Sequence, residues 1–274
     1  MDWWDTGMPR MPESIPPWRC FLLLLLSLLS QQTHGWQLVW QDEFEQPGLP
    51  DPDKWAYEQG YVRNKELQFY RVADASNSWV GQGRLWIRAH YHPGQSPLYS
   101  SASLTTRGRH QWTYGAFEIR AKLPGGIGVW PALWLLGDGV NHGHYWPDAG
   151  EIDIAEHVGS YPNMLFVGIH HRQAYGKNRP DSHKRAVKLN SISEFHIYRM
   201  EWTPKTIRFL VDGRLLKQIP LDLLNPEHPF DKPQFLIINL ALGGSWAGEP
   251  EPHAFPVTME VDYVRIYAPS TQEF

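Results

Sequence analysis

No stretch of twelve or more residues in this 274-residue chain holds a helical hydrophobic period. Short apolar segments recur instead, punctuated by glycine and proline, 23 of each. "GRLWIRAHY" (83–91), "YGAFEIRAKL" (114–123) and "GVWPALWLLG" (128–137) read as strands bounded by glycine. "EFHIYRMEWTPKTIRFLVDGRLL" (194–216) reads as two strands around a Thr-Pro-Lys turn, followed by an Asp-Gly turn. "FLIINLAL" (235–242) and "VDYVRIYA" (261–268) complete the set, and "DLLNPEH" holds at most one or two helical turns. Many short strands at regular spacing with little helix predict an all-β sandwich or barrel. No repeat, low-complexity tract or linker interrupts residues 36–274, which read as one domain.

The N-terminal residues 1–35 read as a secretory leader. Arg10 and Arg19 precede "CFLLLLLSLL", an apolar run too short to cross a bilayer comfortably, and Thr33 and Gly35 offer small residues for cleavage. An uncleaved signal anchor is the other reading of that run. Cleavage after Gly35 would remove Cys20, the single cysteine, so the secreted domain needs a large core in place of disulfides. Hydrophobic residues make up 42% of the chain, which suffices for such a core. The 14 tryptophans exceed what packing usually uses, and flat apolar rings with a polar handle suit sugar binding. A net charge of −4 argues against nucleic acid or an anionic membrane as partner.

One segment breaks the strand pattern. "WPDAGEIDIAEHVG" (146–159) carries Glu151, Asp153 and Glu156 in an otherwise apolar run. Alternate side chains of a strand share a face, so Glu151 and Asp153 point together and Glu156 points away. A β-bulge between Asp153 and Glu156 would return Glu156 to their face. The two glutamates would then lie on the order of 13 Å apart along the backbone, and their side chains could close to roughly 5–6 Å between carboxyls, as retaining glycoside hydrolysis requires. Crowded carboxylates also split their acidities, so that one keeps its proton. A solvated strand face and a calcium site are the competing readings; the neighbouring aromatic residues count against the first.

"GEIDIAEHVG" (150–159), preceded by "WPALWLLG" (130–137), resembles the active-site strand of glycoside hydrolase family 16 in its laminarinase-like branch. The likeness runs from "LVWQDEFE" (38–45) through "NKELQFYR" (64–71), "LTTRGRHQWTYGAFEIRAKLP" (104–124), "YRMEWTPKTIRFLVDG" (198–213) and "FLIINLALGGSW" (235–246) to "VDYVRIY" (261–267). The resemblance implies a β-jelly-roll sandwich of two antiparallel sheets with a concave substrate cleft. It implies Glu151 as nucleophile, Glu156 as general acid/base and Asp153 as the residue that orients the nucleophile. The extra residue at Ala155 resembles laminarinases; the mixed-linkage lichenase branch lacks it.

The resemblance further implies sugar contacts at Asn64, Trp130, Trp134, His170 and Trp246. Only one of His170 and His171 can face the cleft, and His170 fits better. Trp112 and Trp146 have no assigned role. Ser103 departs from the family, where an arginine is common, which puts a sugar or structural contact in doubt. Some members hold a structural calcium ion, and Glu43, Gly83 and Asp262 sit at matching places. The resulting expectation is a secreted, monomeric endo-β-1,3-glucanase that retains configuration and needs no cofactor beyond such a calcium. Its partner would be β-glucan, with no nucleic acid and no membrane after leader cleavage. A non-catalytic β-1,3-glucan recognition protein and a transglycosylase using the same glutamates are the alternatives.

Overall fold

The computed structural model describes residues 35–172, 181–224 and 228–270. The leader assigned to residues 1–35 lies outside this range except for Gly35. The described residues form two sheets in which all pairings but one are antiparallel. The larger sheet holds β1 (Trp36–Asp42), β3 (Gln68–Tyr70), β4 (Ser78–Gly81), β5 (Arg84–Tyr91), β6 (Tyr99–Ser101), β8 (Gly115–Lys122), β14 (Phe195–Trp202), β15 (Thr206–Val211), β16 (Arg214–Pro220) and β18 (Val257–Pro269). The smaller runs β12 (Asp181–Ser182), β11 (Met164–His171), β10 (Glu151–His157), β9 (Val129–Gly137), β17 (Gln234–Leu242), β7 (Ser103–Thr105) and β2 (Ala56–Tyr57). A further strand, β13 (Arg185–Lys188), also pairs with β11. The architecture is a β-jelly-roll sandwich.

The period-two patterns explain the layering. Along β5, β14 and β15 buried and half-buried residues alternate, so each strand gives one face to the core. Leu85, Ile87, Phe117, Ile119 and Phe209 from the larger sheet meet Leu133, Leu135, Ile152, Ile154 and Ile238 from the smaller in one cluster. Truncating any of these to alanine should cost about 2–5 kcal/mol.

β9, β10 and β17 are buried along nearly their whole length. One of their faces covers the core. The other carries Trp130, Ala132, Trp134, Asn239 and Ala241, which line a cavity on the outer side of the smaller sheet. The segment before β3 (Gln68–Tyr70) closes one side of this cavity. It is tied to the end of β17 by Leu67 N–H to Leu242 O at 2.9 Å and Ser245 N–H to Asn64 O at 2.9 Å. Gly244 makes the second contact feasible: its φ is +73°, and a Cβ there would lie 2.9 Å from the Asn64 oxygen.

Candidate active site

β10 carries the bulge that its acidic spacing predicts. Against β9, Asp153 faces Trp134 while Ala155 already faces Leu133; against β11, Asp153 faces Gly168 and Glu156 faces Phe166. Ile154 and Ala155 both enter the core, so the chain re-emerges with Glu156 on the side of Glu151 and Asp153. All three acids line one cavity of about 430 Å³.

Each carboxylate has distinct partners. Trp146 Nε1–H donates to Glu151 Oε2 at 2.9 Å. His170 Nε2 lies 3.3 Å from Asp153 Oδ2 and 3.7 Å from Glu151 Oε1, between the two acids. Glu156 is held on both oxygens, by Trp130 Nε1–H at 3.1 Å and by Lys184 Nζ at 3.1 Å. Burial, then the charges of Asp153 and Glu156, push the Glu151 carboxyl well above the ordinary glutamate range, against Lys184 and the Trp146 hydrogen bond. Burial and Asp153 push Glu156 up to about 7, against the pull of Lys184 and His170. Two buried glutamates sharing one cavity resist carrying two charges, so the pair retains a proton near neutrality.

The expected sugar-contacting residues Asn64, Trp130, Trp134, His170 and Trp246 all line this cavity. Trp246 meets Trp130 edge-on, with ring centroids 5.2 Å apart. Trp134 is fixed by Nε1–H donation to Asn239 Oδ1 at 2.7 Å, and Asn239 in turn donates to Tyr70 Oη at 3.0 Å. The Tyr70 hydroxyl donates to Glu66, which also receives Gln68 at 2.7 Å and Asn64 at 3.3 Å. Asn64 adopts a left-handed backbone, φ 53°, which asparagine tolerates better than most residues. His171 is buried and packs edge-on against Phe230, away from the cavity. Trp112 packs against Trp40 and Phe117.

Sequence reasoning left out Arg63, Glu66, Lys184, Asn239 and Ser245, and left Trp146 unassigned, yet all line the cavity. Asn239 had a signal, a lone amide inside the apolar run "FLIINLAL". Lys184 had none. The departure at Ser103 also gains a structural account. Its hydroxyl donates to Glu58 Oε2 at 2.7 Å, Glu58 pairs with Arg63, and the Arg63 guanidinium lies 5.0 Å over the Trp134 ring. A guanidinium thus reaches the cavity wall from a different segment.

The carboxylates at the expected calcium position do not fit that ion. Both oxygens of Glu43 accept from Arg265, at 2.8 and 2.9 Å, and Asp262 accepts from Arg120 at 2.6 Å. Each acid side chain already has a cation partner, which leaves few free carboxylate oxygens for a metal that takes six to eight. Among the described residues, Glu151, Asp153 and His170 bring one ligand atom each within 4.8 Å of one another. That set mixes imidazole with carboxylates, unlike the oxygen cage that calcium prefers.

The description "Glycosyl hydrolases family 16" matches residues 56–265. The chain is 46% identical over 250 residues to a beta-glucanase of Rhodothermus marinus, covering 87% of each. The solved laminarinase of Rhodothermus marinus superposes with a TM-score of 0.77 over 86% of this chain and 98% of that one, at 46% identity. SCLam, a non-specific endo-β-1,3(4)-glucanase, superposes with a TM-score of 0.76 over 86% of this chain and 92% of its own, at 36% identity. The bulged acidic strand therefore stands in a setting shared along most of the molecule, and this chain belongs to glycosyl hydrolase family 16.

Proposed function

We propose that the chain is a secreted endo-β-1,3-glucanase that hydrolyses β-glucan with retention of configuration. One observation carries the reading: the bulge in β10 puts two buried glutamates, Glu151 and Glu156, on one cavity wall, where burial and neighbouring negative charge weaken both acids so that one proton remains on the pair.

The reaction divides between them. Glu156 gives its proton to the glycosidic oxygen as the bond to the anomeric carbon breaks, and the Glu151 carboxylate attacks that carbon from the opposite face. Trp146, donating to Glu151, and His170, seated between Glu151 and Asp153, hold the nucleophile in place. The Glu156 carboxylate then takes a proton from water. The resulting hydroxyl bonds to the anomeric carbon, and the electron pair of the ester bond returns to Glu151. The half-buried Trp246, with Trp130 and Trp134 on the same wall, offers apolar ring surface for glucose, and Arg63 and Asn64 offer donors for hydroxyls.

Reducing-end release from laminarin tests the assignment. Wild type should release sugar, while Glu151→Gln and Glu156→Gln should lose at least about a thousandfold in kcat with the fold intact. Turnover near wild type in either variant would overturn it. A glucan recognition protein would bind laminarin and release nothing.

A further inference from the structure

The side chain least explained by the proposed reaction is Lys184. Its backbone sits on the connection between β12 and β13, both paired to β11, and His183 N–H donates to Ile169 O at 3.1 Å. Gly168 lets this connection lie close. A Cβ at Gly168 would stand 2.7 Å from the His183 oxygen and 2.9 Å from Lys184 Cα. Lys217 Nζ adds a bond to Lys184 O at 3.3 Å. The backbone is thus fixed where the side chain can reach into the cavity.

There the ammonium makes two contacts. It lies 3.1 Å from Glu156 Oε2 and 4.6 Å over the Trp246 ring. Trp130 occupies the other oxygen of Glu156. A carboxyl with a donor on each oxygen is stabilised as the anion, because a protonated carboxyl must itself donate from one of them. Burial works against the Lys184 ammonium, but Glu156 and Asp153 more than offset it, so the charge stays in place. The ionisable groups facing Glu156 are Glu151 and Asp153 on its own strand, His170 on β11 and Lys184; Arg63 and Glu66 line the same cavity from the segment before β3. Trp130 and Trp246, its other neighbours, carry no charge. Of the cations, Lys184 alone contacts Glu156 among the described residues.

This arrangement opposes the first half of the reaction and assists the second. Glu156 must hold a proton to expel the leaving sugar, and must be an anion to activate water. We propose that Lys184 is a positioning residue for Glu156: its ammonium favours the water-activating carboxylate, speeds breakdown of the glycosyl-enzyme and sets the alkaline limit of activity. The proposal rests on the reading of Glu156 as acid/base. Lys184 transfers no proton and remains an ammonium throughout.

The test uses Lys184→Met, which keeps the aliphatic stem, and Lys184→Arg, which keeps the charge. Removing the charge should move the alkaline limb of kcat/KM upward by about one pH unit, the effect of deleting an opposite charge in contact. The acidic limb should move less, because Glu151 feels Lys184 only at a distance. With an aryl β-glucoside bearing a good leaving group, for which the second step limits, Lys184→Met should lower kcat about tenfold or more, a share of the 10²–10⁴-fold that general acid–base catalysis supplies. Intact-mass spectrometry should show glycosyl-enzyme accumulating. Lys184→Arg should restore both the profile and the rate. In a Glu156→Gln background Lys184→Met should add no further loss.

Should Lys184→Met turn over too slowly for a profile, carbon-13 titration of the glutamate carboxyls in the resting protein reads the same upward shift. An unmoved Glu156 titration, or equal loss in both steps, would overturn the proposal. A wild-type protein without hydrolytic activity would instead sink the reading of the site on which it rests.

Discussion

Ala155 is fully buried in the core directly before Glu156, whose carboxylate lines the cavity on the other side of the same sheet. Ile154 precedes it and is buried in the same core, so two successive residues point inward. That local break in alternation is what returns Glu156 to the side of Glu151. The bulge is therefore a packing feature and a chemical one at once.

Ala155→Leu should separate these aspects. Forcing a larger side chain into the close-packed bulge should cost about 1–3 kcal/mol of stability. It should also shift Glu156 relative to Glu151, and misplacing a reacting group by about 1 Å is worth on the order of a hundredfold in rate. The expected outcome is a folded protein, with its unfolding midpoint lowered by a few degrees and kcat reduced far more than KM. Denaturation curves and kinetics on one preparation check both. Unchanged kcat in a destabilised protein would show that the bulge does not govern the glutamates.

The raised glutamates also predict a pH dependence of stability. A carboxyl whose pKa in the folded protein lies above the unfolded value of 4.5 contributes stability that is full below that value. The contribution is lost as pH rises; for Glu156 the loss runs from 4.5 through about 7. Glu151→Gln removes one such group and keeps an oxygen for Trp146. At pH 8 it should raise the unfolding midpoint by ~2–4 °C, the equivalent of on the order of 1 kcal/mol in a domain of this size. At pH 4 it should have little effect. Thermal scans at the two pH values check this, and an equal gain at both would contradict it.

The surface arginines make a prediction about metal. Arg265 takes both oxygens of Glu43, and Arg120 takes Asp262. These pairs give the acids at that place a cation partner from the chain itself. Neither EDTA nor millimolar calcium should move the unfolding midpoint, whereas Arg265→Ala should make the protein calcium-responsive by leaving Glu43 without its partner. Calorimetry with and without the ion decides it.

Much of this molecule is legible in its sequence for identifiable reasons. Segments such as "GRLWIRAHY" and "YRMEW" alternate because each strand of the larger sheet buries one face, and the alternation survives as a period of two. The gap between Asp153 and Glu156 is legible because a bulge needs one residue too many, and the count shows it. Asn64, Trp130, Trp134, His170 and Trp246 were reached through motif likeness, and all five line the cavity. Lys184 and Arg63 were not legible. Each reaches the cavity through pairings made in three dimensions, Lys184 across Gly168 and Arg63 through Glu58 and Ser103. Neither leaves a local pattern. The ion pairs at the expected calcium position were hidden for a related reason: position along the chain does not reveal that Arg265 and Arg120 pair with the acids.

The central claim is that Glu151 and Glu156 act as nucleophile and acid/base of a retaining hydrolysis. The stereochemistry of the first reducing ends formed tests it most directly. Proton NMR of laminarin during the first minutes of digestion, before mutarotation mixes the anomers, should show the β-anomer appearing first and the α-anomer growing in later. An α-anomer appearing first would mean single displacement by water and would contradict the account.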